Sequence, residues 1–254
     1  MYDFEFIKAK TIAEAVAIVT DDEEAKFLGG GQTLLPTMKQ RLASPSKLIS
    51  LTGIAEMQGL ALEAGELAIG GGTKHAVVAR DARHYFPALA GLAGRIGDPA
   101  VRNRGTIGGS LANNDPAACY PSAVLACDAI IVTDRREIAA ADYFQGTFTT
   151  ALDPDEIVTR VRFPIPGAAN YQKFIQPASR FSLVGIFVAR FADRVGIAVT
   201  GASSETVMPP SVSAASAIPA EASATVTPSA STAVRGRRST CVIPTPSVGP
   251  VRSV

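Results

Sequence analysis

The sequence predicts an α+β fold, and three observations carry the prediction. One helix–strand unit at the start is followed by a long region with many short strands and few helices, unlike the regular alternation of a doubly wound sheet. Glycine clusters at 29–33, 70–73 and 105–110 interrupt the regular segments. At Gly201 the chain changes character: from there to Val254 it holds no Leu, Phe or Tyr and is dominated by Ser, Ala, Pro and Thr.

The elements follow in order. Tyr2–Phe6 alternates as a short strand does. Thr11 caps a helix, with Glu14 as its capping-box partner, and Ala13, Val16, Ala17 and Val19 supply most of the inner face. Lys26–Leu28 is a strand running into Gly29-Gly30-Gly31-Gln32-Thr33, and Leu34, Leu35 and Met38 predict a helical turn that tolerates Pro36 near its start. Leu48–Leu51 is the next strand, Ile54–Gln58 a turn or short helix, and Leu60–Leu62 with Leu67–Gly70 a hairpin around Gly65. Thr73 is placed to cap the short helix after it. His84–Arg95 is helical, with Phe86, Leu89, Ala90 and Ala93 on the apolar side and Pro87 in the first turn. The segment 97–116 reads as a loop, and Pro121 opens the apolar Ser122–Ala126. Strands follow at Ala129–Thr133, Glu137–Ala139 and Ile157–Phe163. In the last of these Ile157, Thr159, Val161 and Phe163 share one face, and Val158, Arg160 and Arg162 the other. Tyr171–Phe174, Leu183–Phe191 and Val195–Thr200 complete the strand set.

Composition narrows the function classes. A chain of 254 residues with 47% hydrophobic and 19% charged residues can bury a substantial core. A net charge of +1 without a basic tract does not indicate nucleic-acid binding. Cys119, Cys127 and Cys241 form neither a disulfide framework nor a CxxC pair, and His75 and His84 are too few for a typical zinc or di-iron centre, so no metal site is expected. The start lacks the plan of a signal peptide, and no apolar run approaches the length of a membrane span. A reduced, cytoplasmic setting is the expectation.

The glycine loops are the candidate binding elements. Glycine lets backbone N–H groups converge on an anion, and a following helix start adds partial positive charge. Two such loops together would suit a diphosphate; each alone could equally be an ordinary tight turn. Neither GxGxxG nor GxxxxGK[ST] occurs, so the residues support a phosphate-bearing ligand and go no further.

Four segments carry a family resemblance: AKFLGGGQTLLPTMKQRL at 25–42, LAIGGGTKHA at 67–76, IGDPAVRNRGTIGGSLANNDPAACYPSAVLA at 96–126 and, more weakly, KFIQPASRFSLVGI at 173–186. In their order and spacing they resemble the FAD-binding medium subunits of the aerobic carbon monoxide dehydrogenase and xanthine dehydrogenase family. The resemblance implies a two-subdomain FAD-binding fold of the PCMH type with an atypical C-terminal region. Residues 1–55 would form an N-terminal α/β subdomain, 56–168 a second α+β subdomain, 169–200 the start of a C-terminal flavoprotein subdomain, and 201–254 an aberrant, disordered tail.

It also implies a site. Gly29, Gly30, Gly31, Gln32, Thr33 and Leu34, with Thr106, Ile107, Gly108, Gly109 and Ser110, would hold the FAD diphosphate through backbone N–H groups. Asn113 and Asp115 would lie near the ribityl and ribose part or in the shell that supports it, and Thr73 and His75 near the flavin edge. Read from the residues alone, His75 could instead be a capping or surface histidine, and Arg102 and Arg104 either turn residues or loop-fixing groups. The implied function is electron transfer from a two-iron two-sulfur small subunit, itself fed by a molybdenum-cofactor large subunit, through FAD to an external acceptor, in a dimer of heterotrimers. No catalytic side chain is implied on this chain. The alternatives are a stand-alone flavin oxidase and a degenerate, non-catalytic flavoprotein-like chain.

Two departures from the family stand out. Cys119 occupies a position where the family often has an aspartate that helps hold the cofactor; losing such a hydrogen bond costs about 1–3 kcal/mol. Past Thr200–Ser203 the family continues into a helical region, whereas the composition here resembles that of a shifted reading frame or a sequence error. A core of 1–200 without that region would expose an apolar patch.

Overall fold

The computed structural model describes residues 1–203, 206 and 212–213, and residues Met1–Ala217 form one compact unit. Most of the expectation for the tail, and all of Ile218–Val254, therefore lies outside the described residues.

The chain opens with β1 (Glu5–Lys8), α1 (Ile12–Asp21), β2 (Lys26–Leu28), α2 (Leu34–Lys39) and β3 (Lys47–Ser50). The three strands form a parallel sheet of order β1-β3-β2. Pairing with β3 sets where the first strand starts: Glu5 N–H donates to Ser46 O at 2.9 Å, and Tyr2 stays outside the sheet. The strand expected at Tyr2–Phe6 is thus shifted. Thr11 does cap α1, accepting from Glu14 N–H at 3.1 Å, while Glu14 Oε2 accepts from Lys10 N–H. The helix buries Ala15 and Val19, with Ile12, Val16 and Ile18 partly buried against the same core. Ala13 and Ala17 face solvent, contrary to the expected inner face, because burying the larger Ile12, Val16 and Val19 sets the helix rotation and puts Ala15 rather than Ala13 or Ala17 on the inner face.

The second region begins with β4 (Leu60–Glu63), β5 (Glu66–Gly70), α3 (His75–Asp81), α4 (Pro87–Gly94), α5 (Pro99–Arg102), α6 (Ile107–Asn113) and α7 (Tyr120–Ala126). It continues with β6 (Ile130–Thr133), β7 (Glu137–Ala139), α8 (Ala140–Tyr143), a small hairpin of β8 (Phe144–Gly146) and β9 (Thr149–Thr150), and β10 (Val158–Pro164). The antiparallel sheet has the order β4-β5-β10-β6-β7. A bulge between Val158 and Arg160 lets Val158 join Val161 and Phe163 in the core, so the strict alternation expected for this strand fails at its start.

The segment expected as a loop at 97–116 contains two helices. Asp98 caps α5 by accepting from Val101 N–H at 2.9 Å, and Thr106 caps α6 by accepting from Gly109 N–H at 3.1 Å. Gly108 and Gly109 thus lie in the first turn of α6 rather than in a loop. Thr73 caps nothing: its hydroxyl donates to Gly59 O, and α3 begins beyond it without a side-chain cap. The helix expected at His84–Arg95 breaks into a 3₁₀ turn ending at His84 and α4, with Pro87 in the first turn of the latter.

β11 (Ala168–Ile175), β12 (Ser182–Arg190), β13 (Arg194–Thr200) and β14 (Val212–Ser213) form an antiparallel meander, so strand pairing reaches into the segment expected to be disordered. One core cluster joins both antiparallel sheets through α3, α4, α6 and α7, centred on Phe86, which packs edge-on against Phe163 and Phe187. A second cluster under α1 takes in Ile157 from the start of the β10 segment, tying the first sheet to the second region.

Candidate functional site

The three glycine segments come together because each lacks the side chain that would hold the others away. A Cβ on Gly30 would stand 2.3 Å from Arg104 O and 2.4 Å from Gly105 Cα, and a Cβ on Gly108 would stand 2.7 Å from Gly71 O. The contacts are sealed by hydrogen bonds: Ile107 N–H to Thr73 O at 3.1 Å, Gly108 N–H to Gly71 O at 2.8 Å, and His75 N–H to Gly105 O at 2.9 Å.

The two expected phosphate loops offer different groups. The amides of Ile107, Gly108, Gly109 and Ser110 are all engaged within the protein, on Thr73 O, Gly71 O, Thr106 Oγ1 and Thr106 O. Among the described residues no hydrogen bond ties the amides of Gly29–Thr33 to the protein. The first loop therefore carries the open donors, and the second serves as the wall against which it is set.

Both line a cleft of about 870 Å³. Of the residues singled out from the sequence, Gly29, Gly30, Gly31, Gln32, Thr33, Leu34, His75, Thr106, Gly108, Gly109, Ser110, Asn113, Asp115 and Cys119 line it. Thr73 and Ile107 do not: both are buried, the first bonded to Gly59 O and the second in the apolar core. Asp115 shapes the turn after α6 by accepting from Ala117 N–H at 2.8 Å. Arg102 fixes the preceding loop, donating to Ile96 O and Gly97 O at 3.0 and 2.9 Å.

His75 is 4% exposed, lies 5.4 Å centroid to centroid from Tyr120, and its Nδ1 has no hydrogen-bond partner among the described residues. Burial first, and the Arg102 charge second, bring its pKa down to about 4, so the ring is neutral at physiological pH. Glu156 on the opposite wall is held by Arg136, Nε to Oε1 at 2.9 Å and Nη2 to Oε2 at 2.8 Å, which takes its pKa down to about 2 against the opposing effect of burial.

Three contributors went unread in the sequence. Asn114 takes a left-handed conformation at the end of α6 and donates to Gly146 O and Thr149 O, anchoring the β8–β9 hairpin at the cleft rim. The signal was an Asn following a short helix. Glu156 follows the Asp153-Pro154-Asp155 turn, where nothing in the sequence signals a buried carboxylate. Lys173 is 9% exposed on the inner side of β11; its signal was a lysine sharing strand phase with the apolar Tyr171.

Comparison with known proteins adds to this geometry. A family model described as "FAD binding domain in molybdopterin dehydrogenase" matches residues 2–166. The chain is 37% identical over 170 residues to the carbon monoxide dehydrogenase medium chain of Afipia carboxidovorans, an alignment covering 64% of this chain and 59% of that one. It is 35% identical over 206 residues to the nicotine 6-hydroxylase medium subunit of Paenarthrobacter nicotinovorans, covering 76% and 72%. Among solved structures, a carbon monoxide dehydrogenase from Hydrogenophaga pseudoflava superimposes with a TM-score of 0.77 at 32% identity, over 82% of this chain and 77% of that one.

Proposed function

Since this chain belongs to the family of FAD binding domains found in molybdopterin dehydrogenases, we propose that it is the FAD-binding electron-transfer subunit of a molybdenum hydroxylase complex. The observation that carries the reading is the set of open amides at Gly29–Thr33, pressed against the start of α6 at one wall of a large cleft. Such a cradle suits a diphosphate, and the unpartnered Nδ1 of the neutral His75 leaves a buried polar atom that a bound cofactor could satisfy.

When bound, FAD supplies the redox chemistry, and the protein supplies position and electrostatics. Gly29–Leu34 would hold the diphosphate, with Thr106, Gly108, Gly109 and Ser110 as the supporting wall. Asn113 and Asp115 would stand beside the sugar and ribityl part. His75 would present a neutral ring, while Thr73 and Ile107 would act only by holding α6 in place. The three larger sheets support a reading of 1–55, 56–168 and 169–200 as successive subdomains, with the cleft lined by residues of all three.

The partners that fit this role are a two-iron two-sulfur subunit delivering electrons and a molybdenum-cofactor subunit oxidising the substrate, in a dimer of heterotrimers. Among the described residues no group of side chains could hold a metal and no helix is long and apolar enough to cross a membrane. A cytoplasmic complex is part of this proposal.

The test is the visible spectrum of the purified chain after incubation with FAD. About one equivalent of bound flavin is expected. The Gly30→Ala variant should lose at least about tenfold in FAD affinity, because its new methyl forces the loop off Arg104 and Gly105. A wild-type chain that binds no flavin would favour the degenerate reading. A flavin-loaded chain reduced directly by small organic substrates under anaerobic conditions would favour the stand-alone oxidase.

A further inference from the structure

Cys119 stands at the cleft wall, 5% exposed, just before α7. Its sulfur lies 3.3 Å from Lys173 Nζ and 3.7 Å from Ser182 Oγ. Lys173 is itself buried on the inner face of β11, and its other contact is the neutral carbonyl of Arg95, at 3.1 Å. Among the described residues no carboxylate forms an ion pair with it. The remaining nearby charge is a further cation, the Arg95 guanidinium, which donates to Tyr171 O at 3.1 Å.

A buried ammonium needs a counter-charge. Two groups at this spot can carry one, the Cys119 sulfur and the Tyr171 hydroxyl, which lies 3.4 Å from Ser182 Oγ. The tyrosine is the poor candidate, because burial above all, with the neighbouring Cys119 adding to it, holds its proton far above the usual phenol range. Gly185, paired with Lys173 across the strands, leaves open the space that Tyr171 and Ser182 fill around the sulfur.

We propose that Cys119 and Lys173 form a thiolate–ammonium pair, and that this makes Cys119 a redox modification site for hydrogen peroxide entering the cleft. Peroxide is small and uncharged, so it suits a sulfur that is barely exposed. The thiolate attacks one peroxide oxygen. The S–O bond forms, the O–O bond breaks, and the departing oxygen takes a proton from Lys173 and leaves as water. Sulfur is oxidised by two electrons to the sulfenic acid, peroxide is reduced, and the lysine is left as the neutral amine, so the pair loses both charges in one step.

The experiment uses the full chain without FAD, in a Cys241→Ser background, so its outcome is independent of the cofactor reading. Hydrogen peroxide is added at neutral pH, sulfenic acid is trapped with dimedone, and the labelled cysteine is identified by mass spectrometry. Cys119 should label about tenfold faster than free cysteine, which is only a few per cent thiolate at that pH. Cys127, whose thiol burial pushes up to about 12, should stay unlabelled. Lys173→Met, which removes both the charge and the proton donor, should slow Cys119 about tenfold. Equal rates in the wild type and Lys173→Met overturn the proposal. If Lys173→Met fails to fold, the wild-type chain decides alone: a Cys119 rate no faster than free cysteine overturns it.

Discussion

His75 shows how one residue's surroundings set its chemistry. It is enclosed by Gly105, Tyr120 and α3, and its folded pKa of about 4 lies below the ordinary 6.5. The unfolded chain takes up a proton below pH 6.5 that the folded chain refuses until about pH 4. Stability is therefore full above 6.5 and declines as pH falls between those values, by up to about 3 kcal/mol. His75→Gln should flatten that decline. Urea unfolding at pH 7 and pH 4.5 measures it, and an unchanged pH dependence in the variant would show that another group is responsible.

Among the elements, the turn between β9 and β10 is the one that ties the first sheet to the second region. Thr20 on α1 donates to Asp155 Oδ2 at 3.1 Å, Arg135 pairs with the same carboxylate, and Ile157 enters the core under α1. Arg136 and Glu156 lock this turn from the cleft side. Glu156 has a lowered folded pKa, so its contribution is complete above about pH 4.5 and is lost as pH falls toward 2. Arg136→Met leaves that buried carboxylate without its cation. With the arginine half exposed to solvent, a loss of about 2 kcal/mol at neutral pH is expected. The variant should also flatten the stability loss between pH 4.5 and 2. Thermal melts across that range check both.

At the scale of the whole molecule, the outer face of the β11–β13 sheet carries an exposed apolar patch. Phe174 is 71% exposed, and Val184 and Ile186, on the same face of the neighbouring strand, are 36% and 38% exposed. Surfaces of this kind drive association. A Phe174→Ser, Ile186→Thr double variant should self-associate several-fold less in sedimentation experiments at rising concentration while keeping its far-UV spectrum. Association unchanged by these substitutions would clear this face of the effect.

The sequence by itself determined which segments could be strands, that Thr11 caps α1, and that glycine segments at 29–33, 70–73 and 105–110 interrupt the regular elements, because capping, β-pattern and glycine permissiveness are local properties of the chain. It did not reveal that Gly108 and Gly109 belong to a helix, since their low helical propensity is overridden by the Thr106 cap and by the close approach of Gly71. Nor could it divide the labour between the two loops. Which amides stay open depends on acceptors that arrive from residues far along the chain, such as Thr73 O and Gly71 O. Lys173 meets Cys119 across 54 residues for the same reason. Tertiary packing alone decided which donors were used up inside the fold and which charges were left to find each other at the cleft wall.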